Sequence, residues 1–109
     1  MSCKQLINEE DGIARVAGNR MLYARLLKKF LKTDYISELR LLAAQGDLTE
    51  LKKSLHTIKG VAANLSLELL HDATLRTETS LKDGELSPQY LSELYSTYEK
   101  TTESIKAFE

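Results

Sequence analysis

Apolar residues recur at steps of three and four along almost the whole chain, the period of an amphipathic helix rather than the alternation of a strand. Two runs are strict: Leu48, Leu51, Leu55, Ile58, Ala62 and Leu65, then Leu91, Leu94, Tyr98, Thr101, Ile105 and Phe108. A stripe of this spacing lies along one side of a helix and has to be covered by another element. Stripes at Leu22, Leu26, Leu27, Phe30 and Leu31, at Tyr35, Ile36, Leu39, Leu42 and Ala43, and at Leu67, Leu70, Ala73 and Leu81 predict three more helices. Ahead of them, residues 5–16 predict a short helix that contains Gly12.

The breaks between stripes carry residues that start and stop helices. Asn19, the Thr33-Asp34 pair and Asp47 can accept hydrogen bonds from a first helical turn. Glu50, three residues after Asp47, makes a variant of the capping box. Gly46 suits the residue that closes a helix, and "NLS" at 64–66 reads as a tight connection. Ser87-Pro88 sets a cap before a proline whose missing N–H is harmless in a first turn. Short connections between long helices favour antiparallel neighbours. The predicted fold is therefore all-α: an up-and-down four-helix bundle with a short additional N-terminal helix or helices. One domain is expected over residues 1–109, its bundle core at about 19–108. Each buried Leu stabilises by roughly 1.5–3 kcal/mol, so these stripes can hold the fold without metal or disulfide.

Composition narrows the function classes. Net charge is −1, which leaves no global basic field for nucleic acid. Cys3 is the only cysteine, so no internal disulfide can form, and a reducing compartment is expected. No apolar run approaches the roughly 18 residues of a membrane span, and "MSCKQLINEEDG" has no signal-peptide core. The expectation is a cytoplasmic domain without membrane contact of its own.

The fourth predicted helix carries an unusual outward strip. At about 100° per residue, His56 points roughly 130° from the middle of the apolar stripe. Thr49, Lys52, Lys53, Lys59, Gly60 and Ala63 share that side. Lys53 and Lys59 bracket the imidazole at helical steps, while Gly60 and Ala63 leave little side chain beside it. A neutral imidazole is a nucleophile near pH 7, and a phosphoryl group on it would carry about two negative charges, which an ammonium stabilises. There is no Gly-rich phosphate cradle, no carboxylate cluster for Mg²⁺ and no nucleotide motif. The strip can accept and donate a phosphoryl group but cannot take one from ATP. Gly60 costs roughly 1 kcal/mol of helix propensity without facing the core, which fits close approach by another protein.

These residues resemble a known family. "HTIKGVAANLS" is similar to the signature of histidine-containing phosphotransfer (HPt) domains, a His followed by x, Leu or Ile, Lys and Gly, then a small pair. "GNRMLYARLLKKFLKTD" and "AAQGDLTELKKSLH" resemble the segments that precede the histidine, and "LRTE" and "LKDGEL" those that follow it. The likeness runs from about Gly12 onward. The family often has Ala where Leu55 stands and Gly where Ser66 stands, and Val61 falls at a flank; none of these removes a group the chemistry needs.

The resemblance implies a phosphocarrier with no kinase activity of its own. His56 would accept a phosphoryl group on Nε2 from a receiver-domain aspartate and pass it to another receiver. Lys59 would offset phosphate charge, Gly60 would admit the receiver, and Glu78 on the next helix would hold the other ring nitrogen. Lys52, Lys53, Thr49 and Ala63 would face the partner. No cofactor is implied in this chain, since Mg²⁺ belongs to the receiver. The implied partners are response-regulator receivers and a hybrid sensor histidine kinase. The chain is expected to be either a free-standing protein or, the alternative its compact, domain-sized form favours, the C-terminal piece of such a kinase. The rival readings are a helical docking module that never carries phosphate and a metal-binding bundle. The second would need His56, His71 and acidic residues or Cys3 in ligand geometry, and no His-x-x-x-His or Cys-x-x-Cys pair exists.

Overall fold

A computed structural model describes residues 4–108, so Cys3 lies outside the described residues. Six helices follow one another: α1 Glu9–Arg15, α2 Arg20–Lys32, α3 Tyr35–Gln45, α4 Leu48–Asn64, α5 Glu68–Lys82 and α6 Pro88–Lys106. The described residues contain no strand. From α3 to α6 each helix packs on the next, up and down, while α2 lies against α6 and α1 against α2.

Local chemistry sets most of the boundaries. Asn19, Asp34, Asp47 and Ser87 accept hydrogen bonds from Leu22, Ser37, Glu50 and Tyr90 N–H groups at 3.0–3.2 Å, so each first turn has one orphan donor satisfied. Glu50 does not reach back to complete a capping box; its carboxylate accepts from Lys53 at 3.2 Å. Gly46 ends α3 in the left-handed conformation, φ +71°.

The core runs through all of the longer helices. Tyr23, Leu27, Phe30, Leu39, Leu51, Leu55, Ile58, Leu67, Leu70, Leu81 and Leu94 are buried. Leu22, expected inside, is instead exposed: the inward stripe of α2 is Tyr23, Leu27 and Phe30, itself a four-three step. Tyr23 is wholly buried and its hydroxyl donates to the Leu65 carbonyl at 2.6 Å. Burial, with the Glu9 and Asp11 carboxylates adding to it, pushes its phenol up to about 12. On α3 only Leu39 is fully buried; Tyr35, Ile36, Leu42 and Ala43 are half-buried.

The N-terminal segment departs from the expected helix at 5–16. Helix begins only at Glu9, with Asn8 as its cap. The preceding residues run as a strap across the α4–α5 turn. Leu69 N–H donates to the Gln5 carbonyl at 3.1 Å, and Asn8 N–H donates to the Ser66 carbonyl at 2.9 Å. Gln5 N–H and Asn8 Nδ2 donate to the two carboxylate oxygens of Glu68. The N-cap of α5, Leu67, has no capping side chain, so a backbone carbonyl from the strap serves one of its orphan N–H groups. Helix over 5–8 would have left that donor unpaired.

Candidate functional site

The α4–α5 turn positions the two helices that carry the site. Ser66 sits there at φ +57°, a conformation that favours glycine. Its hydroxyl donates to Asp11 Oδ2 at 2.5 Å, a local attachment that a glycine would lack. That hydrogen bond, together with the one from Arg15, holds the Asp11 carboxyl below its ordinary range. From this pinned corner α4 and α5 pack side by side.

Along α4, the buried residues Leu51, Leu55, Ile58 and Ala62 face the core and turn His56 to the opposite side. The imidazole is 76% exposed. Its Nδ1 edge faces Glu78 of α5, with Nδ1 and Oε2 3.8 Å apart. That is too long for a hydrogen bond but short enough for a small side-chain movement to make one. The Nε2 edge is consequently the one turned away from the carboxylate.

Lys59 is placed differently from the expectation. It stands at the α5 edge of the outward strip, its side chain only 24% exposed, and its ammonium donates to Glu78 Oε1 at 2.5 Å. Glu78 is 17% exposed and lies between the two cationic or potentially cationic groups. The lysine is an interhelix partner of this carboxylate before it is anything else. Nothing in the spacing along α4 alone revealed that pair, because its second member comes from another helix.

The remaining predicted residues divide. Thr49, Lys52 and Lys53 are exposed, and Lys53 is engaged with Glu50 rather than with the imidazole. Gly60 opens outward, and a Cβ built on it would meet nothing within 4 Å. Ala63 is not open in the same way. It is half-buried and lines a cleft with Lys4, Asp11 and Ser66, because the strap crosses beside it. His71 borders that cleft at the start of α5, and so does not join His56. Among the described residues no group of three or more His, Cys, Asp or Glu side chains could hold a metal ion. None of the described helices is long and apolar enough to cross a membrane.

Sequence reasoning missed a larger cleft, of about 580 Å³, between α2 and the end of α4. Leu26, Phe30, Tyr35 and Val61 supply its apolar lining, and Arg15 and Lys29 its cations. The intermediate angle of Val61 was its sequence signal.

Compared with known proteins, residues 25–101 match the family model of the Hpt domain. No curated protein and no solved structure matches the chain.

Proposed function

We propose a specific relay step for this chain, which belongs to the Hpt-domain family. Hpt domains serve phosphotransfer in two-component signalling as phosphocarrier modules that meet receiver domains. Here the carrier atom is Nε2 of His56. A receiver brings its phosphorylated aspartate to the outward face of α4. The Nε2 lone pair attacks phosphorus in line, the P–O bond to the aspartate breaks, and the carboxylate leaves with the bonding pair. The proton stays on Nδ1, so the ring becomes a phosphorylated imidazolium. Reversal onto a second receiver's aspartate completes the relay. The receiver supplies the Mg²⁺ that offsets charge on the transferring group.

One observation carries this reading: a mostly exposed imidazole, midway along a rigid helix, turns Nδ1 toward a carboxylate and Nε2 away from it. A carboxylate beside Nδ1 favours the tautomer with the proton there, which is the one that leaves Nε2 nucleophilic. Gly60, one turn further on, adds open backbone where a docking surface has to come close. Thr49, Lys52 and Lys53 are proposed as further contacts on the same exposed face.

The test is incubation with a phosphorylated receiver domain. The expected product is acid-labile, base-stable label on this chain, absent from His56→Gln with the helical fold retained by circular dichroism. Label that persists in that variant rejects the site. A receiver that binds both forms equally and labels neither establishes the docking-module alternative.

A further inference from the structure

A single carboxylate with two competing neighbours is the least explained feature of the outward face. Glu78 holds the Lys59 ammonium at 2.5 Å through Oε1 while its Oε2 lies 3.8 Å from His56 Nδ1. At rest the stronger, shorter contact belongs to the lysine. The charges change once His56 carries a phosphoryl group. The group itself bears about two negative charges and attracts the ammonium three residues along the helix. Transfer leaves the Nδ1 proton on a ring that now carries a positive charge. That N–H becomes the better partner for the carboxylate, which in turn favours keeping the proton there.

We propose that Glu78 is a positioning residue that exchanges partners: it restrains Lys59 while His56 is bare and takes the Nδ1–H when His56 is phosphorylated, releasing Lys59 to the phosphoryl group. This rests on the reading of His56 as the phosphorylated residue. No atom is transferred in the exchange; one hydrogen-bonded ion pair is replaced by two. Lys59 is thereby a conditional phosphate ligand, made available by the modification it then stabilises.

Full-length protein phosphorylated with phosphoramidate, a small-molecule donor, tests this by nuclear magnetic resonance. The ³¹P signal reports phosphohistidine, the Lys59 Cε and Nζ resonances report the ammonium, and Glu78 Cδ reports the carboxylate. All three are expected to move together. A phosphohistidine signal accompanied by stationary Lys59 and Glu78 resonances overturns the exchange and leaves the His56 assignment standing. Absence of the ³¹P signal, or its survival in His56→Gln, overturns the assignment and the exchange with it.

Transfer equilibria with a receiver give a second reading that a purely structural pair would not move. Lys59→Ala shifts the phosphoryl group from His56 back to the receiver in both backgrounds. The shift is expected to be about threefold to fivefold larger in Glu78→Gln than in the wild type, because no ion pair opposes release there. Equal shifts reject the exchange. Glu78→Ala slows acceptance about tenfold, and Glu78→Gln, whose amide oxygen still accepts from Nδ1–H, restores most of it. Failure of the glutamine to restore the rate also counts against the scheme.

Discussion

Gly12 in α1 and Gly60 in α4 occupy the same kind of position, inside a helix, for opposite physical reasons. At Gly12 a Cβ would stand 2.3 Å from the Tyr23 ring, so the fold itself excludes a side chain. At Gly60 a Cβ would meet nothing within 4 Å, so the fold leaves room for a side chain there. Both pay the same propensity penalty of roughly 1 kcal/mol. The first region is closed, with α1 laid directly on α2; the second is open, and nothing within the fold requires its bareness. A glycine in a helix therefore does not by itself say whether the fold excludes a side chain at that position.

The closed region should respond most strongly to alkali. Tyr23 has a folded-state phenol raised to about 12, against an ordinary value near 10. The native state holds this proton more tightly, so stability is intact below pH 10. It falls as pH rises from 10 to 12, by about 2–3 kcal/mol at the top of that window. Tyr95 and Tyr98, also raised by burial, add loss in the same direction. Urea denaturation of Tyr23→Phe across that range should show a shallower fall than the wild type; identical slopes would mean the ring is not closed off. Gly12→Ala comes next. Overpacking against the ring should destabilise by about 1–3 kcal/mol, read from the denaturation midpoint, with phosphoryl transfer by the folded protein unchanged. A neutral result would erase the contrast with Gly60.

The open region should reverse both signs. Gly60→Ala should stabilise by up to about 1 kcal/mol, since the only local effect is helix propensity. Gly60→Gln should spare stability while slowing transfer from a receiver about tenfold, the equivalent of about 1.4 kcal/mol at a docking surface. Unaltered transfer in that variant would leave the bare backbone without a purpose. The smallest effect belongs to the corner between the regions. Ser66→Ala removes the main hydrogen bond that lowers the Asp11 carboxyl, so that carboxyl should titrate at a higher pH by NMR. Because a depressed carboxylate loses its stabilising contribution as pH falls through its folded value, the variant should also lose part of the acid sensitivity of the contact between α1 and the α4–α5 turn.

What was legible in the chain was local. Asn19, Asp34, Asp47 and Ser87 cap helices as expected because a cap involves residues three positions apart. The outward direction of His56 was legible for a similar reason: six apolar residues at a fixed period leave one choice of inner face. The same reasoning failed on α2, where Leu22 and Tyr23 offered competing stripes and the four-three step from Tyr23 was the one buried. It failed again at residues 5–8, whose donors and acceptors are matched to a turn some sixty positions later in the chain.

By itself the amino-acid order determined the helices, their caps and the exposure of the imidazole, because each depends on neighbours within a turn or two. Tertiary structure decided what surrounds the imidazole. Lys59 turned inward, and Glu78 came between it and His56, only because α4 and α5 lie side by side. A charge on one helix has no fixed partner until another helix brings one within a few ångströms, and electrostatic attraction in the half-buried space between them then selects the pair.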